Sequence, residues 1–290
     1  MQVLKIGFPS GSLQEFTFNL FQKAGYRVRL AARSYVPDID DPELEGLMFR
    51  AQEIAKYVDR GIIDVGLTGK DSIMENGAEV VEIGELVYSK TTARPIRLVI
   101  AVPEDSPIRK VEDLQGKRIA TELVEVTRAY LAERGIEADI EFSWGATEVK
   151  PGICVDAIVE RTETGSSLKA NRLRIVDTIM ESTTRLVINR EAWADAWKRQ
   201  KAENLFLLLK GALEAEAKVG LKMNVPRNRL DQVIAQLPAL HTPTISNQLD
   251  QDWVAVEIIA DEKVVRELIP QLKRMGAEGI IEYPLNKVVY

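Results

Sequence analysis

The chain has one cysteine, Cys154, and one histidine, His241, in 290 residues. No internal disulfide can form, Cys/His zinc sites are excluded, and a histidine-dependent triad has only His241 to draw on. Basic charge is also scarce. The 38 Lys+Arg against 44 Asp+Glu leave a formal charge of −6, which argues against a broad surface for nucleic acid and requires any anionic ligand to be met locally. No apolar run approaches a membrane span, and the opening Met1–Pro9 is too short for a secretion signal, so a cytoplasmic protein without a membrane partner is expected. What remains is ordinary globular material, 46% hydrophobic and 28% charged, with enough length for two or three domains.

The most informative stretch is Asp156–Leu168. Val155, Ala157, Ile158 and Val159 form an apolar run suited to a strand inside a covered sheet. Acidic and then hydroxylated residues follow, so the strand is expected to end there. Thr164, Gly165, Ser166 and Ser167 offer backbone N–H groups and three hydroxyls at the start of a helix, where a phosphate fits. Asp156 and Glu160 suit sugar hydroxyls or a divalent cation better than a bare phosphate. Together these residues point to a sugar phosphate, and an ordinary capped strand-to-helix turn accounts for the same pattern.

Earlier in the chain, residues 2–8 alternate as a strand and run into Pro9-Ser10-Gly11-Ser12 before a helical pattern through Leu13, Phe16, Leu20 and Phe21. This turn is a second candidate anion site, with a plain capped turn as the alternative. Residues 36–46, with two prolines and several acids, read as a loop; Leu47–Arg50 and Ile62–Leu67 read as strands. Arg50 and Lys70 follow strands, where open α/β sheets place ligands. Gly66-Leu67-Thr68-Gly69-Lys70 lacks the spacing of a Walker loop, and Asp71 stands where Ser or Thr is required. A second β-α-β series begins with the strand at 96–102 and contains Arg118–Thr121, and a helix is expected over about 191–210. The last eighty residues read β-α-β-β-α-β, the order of the ferredoxin-like plait.

These motifs resemble the long form of the ATP phosphoribosyltransferase family, over nearly the whole chain. The stretches that carry the resemblance are Ser10-Gly11-Ser12-Leu13, Gly116–Thr121, Gly145-Ala146-Thr147-Glu148-Val149-Lys150-Pro151 and the 156–168 loop, followed by Pro226–Pro238, Thr242–Ile245 and Gly276–Ile280. The resemblance implies an α/β fold of two periplasmic-binding-protein-like lobes, plus a C-terminal ferredoxin-like regulatory domain. The expected bounds are 1–98 with 183–210 for the first lobe, 99–182 for the second, and 211–290 for the regulatory domain. It implies ATP and phosphoribosyl pyrophosphate as substrates, Mg²⁺ carried by the pyrophosphate with no protein metal ligands, histidine as inhibitor, and dimers or hexamers.

By residue, the resemblance assigns Thr164, Gly165, Ser166 and Ser167 to the 5′-phosphate, Asp156 and Glu160 to the ribose, and Glu148 to the adenine. Glu163, Gly11, Ser12, Arg50, Lys70 and Arg118 are further substrate contacts, and Leu240, Thr244 and Gly279 surround histidine. Two departures stand out. The loop reads Thr-Gly-Ser-Ser where Thr-Gly-x-Thr is usual, and Glu163 adds negative charge beside an anion site. A solute-binding module of the same two-lobed build is the rival class; a loop combining paired acids with hydroxyls is superfluous for simple binding.

Overall fold

The computed structural model describes residues 2–88, 95–238 and 242–290. The chain divides into two compact units, Met1–Phe206 and Leu207–Tyr290. The first unit holds two five-stranded sheets and the second a four-stranded one.

The first sheet is built from β1 (Leu4–Ser10), β4 (Leu44–Arg50), β5 (Val65–Gly69), β6 (Val81–Leu86) and β12 (Thr184–Ile188), in the order β4-β1-β5-β12-β6. A small hairpin of β2 (Val28–Arg29) and β3 (Asp38–Ile39) lies between its first two strands in the chain. Strand β1 runs parallel to β4 and β5, whereas β12 enters antiparallel between β5 and β6. Helices α1 (Gln14–Ala24), α2 (Ala51–Asp59) and α3 (Lys70–Glu75) follow β1, β4 and β5 directly. Helix α2 buries Ile54, Ala55 and Val58 completely. It lies so close to the sheet that a Cβ on Gly66 would come within 2.3 Å of Ile54, so glycine is what permits this packing.

The second sheet has the order β11-β7-β10-β8-β9, from β7 (Ile96–Pro103), β8 (Arg118–Thr121), β9 (Asp139–Phe142), β10 (Ala157–Thr162) and β11 (Leu173–Ser182). Helix α4 (Val124–Ala132) follows β8, and the short α5 (Ser166–Ala170) follows β10. Alternation along the central strands feeds two cores. Leu98, Ile100, Ala157 and Val159 face one side; Val99, Ala101 and Ile158 face the other, with Leu168 of α5.

Helices α6 (Arg190–Ala194) and α7 (Ala196–Ala215) replace the single helix expected over 191–210. The break falls at Asp195, whose carboxylate accepts the N–H groups of Trp197 and Lys198 at 2.9 and 3.0 Å and so starts a new helix.

The second unit contains β13 (Lys218–Pro226), α8 (Leu230–Ile234), β14 (Thr244–Asn247), β15 (Trp253–Asp261), α9 (Glu262–Arg274) and β16 (Glu278–Pro284). Its all-antiparallel order β14-β15-β13-β16 is that of the ferredoxin-like plait. Helix α9 buries Val265, Leu268 and Leu272, one stripe at helical spacing, against the sheet.

Three expectations need correction. A first-lobe boundary at residue 98 cuts through β7, because Ile96 and Arg97 already pair with Ser182 and Glu181 of the second sheet. Residues 36–46 are not all loop: Leu44 is buried and pairs with Leu4, so β4 begins there despite the neighbouring acids. The unit division falls inside α7, at 206/207, ahead of the expected residue 211.

Candidate active site

Strand β10 ends at Thr162, and the turn after it is fixed by side chains of the same segment. The Thr162 hydroxyl accepts the Gly165 N–H at 2.8 Å, while Gly165 takes a left-handed φ of 79° that sends the chain into α5. Thr164 Oγ1 lies 3.0 Å from Ser166 Oγ. The Ser167 hydroxyl donates to Glu148, which stands on a short 3-10 turn, Thr147–Val149. The loop residues Thr164, Ser166 and Ser167 are exposed, so a ligand can reach them in exchange for these local hydrogen bonds.

Glu160 lies two residues before Thr162 on the same face of the strand, so it belongs to this corner. Burial raises its pKa, and the nearby Glu148 and Glu122 carboxylates push it further up, against a lowering by the Arg161 N–H and charge. Glu160 is thus a half-buried acceptor whose ionised form is held at a cost, as expected of a group awaiting donors.

A cavity of about 330 Å³ opens between the two sheets of the first unit. Glu163, Thr162 and Arg161 line it from β10 and its loop, Ser12 and Leu13 from the turn after β1, and Asp71 and Ser72 from α3. Its remaining walls include Ala51, Tyr88, Ile96 and the Ser182–Thr184 connection between the sheets. The Tyr88 ring stacks on Phe16 at 4.8 Å, and burial pushes its hydroxyl up to about 12, so it stays a neutral donor. The lining thus combines apolar side chains with charged ones. Register places Arg50 beside Ser10 at the same end of the first sheet, and a Cβ on Gly11 would lie 3.5 Å from the Arg50 guanidinium.

Several expected residues lie elsewhere. Asp156 precedes β10 and accepts the Arg118 N–H at 2.9 Å, so Asp156 and Arg118 sit together at the start of their parallel strands. Four residues of strand separate Asp156 from Glu160, about 13 Å, which is too far for the two to grip one ribose edge as a pair. Lys70 is held by Glu82 at 2.5 Å. Thr244 and Gly279 lie on β14 and β16, the two opposite edges of a four-stranded sheet, about 14 Å apart by strand spacing. They cannot share one amino acid within one sheet, and Leu240 and His241 fall outside the described residues.

Two residues not anticipated from sequence are the best anchored. Arg161 reaches Asp71 at 2.6 Å and Glu122 at 3.0 Å. Burial lowers its pKa, but these carboxylates more than offset that and hold it raised. Its place two residues after Val159, on the face of Ala157 and Val159, was the available signal for Arg161. Its partner lies ninety positions earlier, which no local pattern reveals.

The chain was compared with known proteins. The family model described as ATP phosphoribosyltransferase matches residues 50–211, and the model for the HisG C-terminal domain matches 215–287. A protein of Desulforudis audaxviator named ATP phosphoribosyltransferase is 61% identical, with 99% of each chain covered. One of the same name from Pelodictyon phaeoclathratiforme is 59% identical over 99% of this chain and 98% of its own. A solved Thermotoga maritima structure, described as an ATP phosphoribosyl transferase (HisG:HisZ) complex, superposes with a TM-score of 0.61 at 26% identity, covering 72% of this chain and 99% of that one. Two family models in sequence along one chain, with relatives alike from end to end, place this chain in the ATP phosphoribosyltransferase family in its long form, a family of pentosyl-transferring enzymes of histidine biosynthesis.

Proposed function

We propose that the chain joins N1 of the adenine of ATP to C1 of the ribose of phosphoribosyl pyrophosphate, with release of pyrophosphate. The observation that carries this reading is the cavity lined by Thr162 and Glu163, which open the hydroxyl-rich turn, together with Ser12, Asp71 and Arg161, with Glu160 just before it on the same strand. The turn takes the 5′-phosphate, and Glu160 accepts hydrogen bonds from ribose hydroxyls. Leu13, Ala51, Tyr88 and Ile96 suit a flat base. Arg50 replaces Lys70 and Arg118 as the cation nearest the Gly11-Ser12 turn.

Adenine N1 carries a free lone pair, so no proton has to leave before attack. As the N1–C1 bond forms, the bond from C1 to the pyrophosphate oxygen breaks, and its electron pair departs with pyrophosphate. Rate then depends on alignment and on leaving-group charge. Among the described residues no group of three or more His, Cys, Asp or Glu side chains could hold a metal ion. Mg²⁺ arrives chelated by phosphoribosyl pyrophosphate, as part of the substrate.

In this reading the C-terminal unit binds histidine and lowers activity through dimer or hexamer exchange, which requires unequal histidine affinity in the two states. The setting is cytoplasmic; among the described residues no helix is long and apolar enough to cross a membrane. The test is pyrophosphate release with ATP and phosphoribosyl pyrophosphate, with and without histidine. Release needing both substrates supports the transferase, and solute binding without turnover favours the rival module. A truncation ending near residue 210 that remained fully histidine-inhibited would remove the C-terminal unit from the mechanism.

A further inference from the structure

Helix α3 of the first sheet touches the second at both of its ends. At its start, Asp71 is 2% exposed; it meets Arg161 of β10 at 2.6 Å, and its own N–H donates to the Ser182 hydroxyl at 3.1 Å. Ser182 in turn donates to the Asp71 carboxylate. At its end, the Glu75 carboxylate accepts the N–H of Val126 at 3.0 Å and that of Glu125 at 2.9 and 3.1 Å, in the first turn of α4. A carboxylate there also complements the helix dipole.

The three groups at the start of α3 come from three places. Asp71 belongs to the first sheet's helix, Arg161 to the second sheet's central strand, and Ser182 to the end of β11, from which the chain returns. All three line the cavity. Arg161 also immediately precedes Thr162, the residue whose hydroxyl fixes the Gly165 turn. We propose that Arg161 and Asp71 are a positioning pair for the transfer reaction: their ion pair sets the distance between the phosphate turn of one lobe and the cavity wall of the other.

The proposal rests on the transferase reading and follows from the chemistry read there. The two reacting atoms sit on separate substrates, so catalysis depends on the spacing of the surfaces that hold them. A buried ion pair is a poor source of net stability, since apolar replacements of both partners are often neutral, but it fixes geometry tightly.

The test exploits that difference. The double variant Asp71→Asn/Arg161→Met removes both charges of the pair and leaves only Glu122, a partly exposed carboxylate, without its guanidinium partner, and Arg161→Lys keeps the charge while losing the fork geometry. Melting temperature, kcat and both KM values are measured, with Glu79→Gln as a control that breaks an exposed pair to Arg190. The expected result is a double variant that melts near the parent temperature while kcat/KM falls on the order of 100-fold; Arg161→Lys falls in between and the control is unchanged. In parallel, spin labels at Lys56→Cys and Glu133→Cys, in a Cys154→Ser background diluted with unlabelled protein, should show a broader inter-lobe distance distribution in the double variant. Activity within twofold of the parent, or activity lost only in step with stability, overturns the positioning role. If the parent enzyme itself releases no pyrophosphate, the transferase reading fails, and an unchanged distance distribution would still refute the pair by itself.

Discussion

Neighbouring residues on β10 meet opposite surroundings. Glu160 and Thr162 share the face of Ile158, which packs with Leu168 of α5 and leads to the exposed hydroxyl turn. Arg161 shares the face of Ala157 and Val159 and is held by two carboxylates, one of them on a helix of the other lobe. One face leads to the exposed hydroxyl turn, and the other carries a guanidinium that lines the cavity and is held by carboxylates from two elements. A single strand can thus carry both the groups proposed to meet the ligand and the proposed positioning pair, because strand side chains alternate.

Substitutions on the ligand face should break this contrast most visibly. Gly165→Val meets no atom within 4 Å of its Cβ but imposes a φ of 79° on a β-branched residue, so it should abolish phosphoribosyl pyrophosphate binding while the protein stays folded. Calorimetric titration decides this, and unchanged affinity would remove the turn from the site. Thr162→Val is nearly isosteric and orphans the Gly165 N–H. It should raise KM for phosphoribosyl pyrophosphate about tenfold and cost about 1 kcal/mol in denaturant unfolding.

Glu160→Gln separates stability from activity. A carboxyl whose pKa is raised by folding contributes stability below its ordinary range, and that contribution is lost as pH rises through the folded value. The amide should therefore raise the melting temperature at pH 8, by an amount that shrinks toward pH 4, while kcat/KM falls roughly tenfold or more through weaker acceptance from ribose hydroxyls. A lower melting temperature at pH 8 would show that Glu160 is satisfied after all. The smallest effect belongs to Lys70→Ala, which breaks a partly exposed pair with Glu82 and should cost below about 1 kcal/mol in thermal unfolding, with activity retained.

The sequence carried the strands and the C-terminal plait well, because Leu4–Ser10, Arg118–Thr121 and Trp253–Asp261 announce themselves by apolar alternation or turn signals. It concealed β6, an edge strand in which Glu82 and Glu85 interrupt the apolar pattern, and α3, whose six residues are too few to show a helical period. The Thr162–Ser167 turn, proposed to take the phosphate, was legible as a strand-to-helix turn because its signals are local. Asp156 was misplaced by proximity in sequence: the same strand that leads to the turn also carries Asp156 away from it. Arg161 and Asp71 gain their meaning only from a contact between sheets.

The second sheet is an insertion, with entry strand β7 and exit strand β11 side by side and Ile96 opposite Ser182. The strand made next, β12, slots between β5 and β6 of the first sheet. As the ribosome delivers the chain, the inserted lobe can finish while the lobe that began earlier still has a gap in its middle. The lobe begun first can therefore be the last to close, and nascent chains lacking β12 should expose the facing edges of β5 and β6 to chaperones.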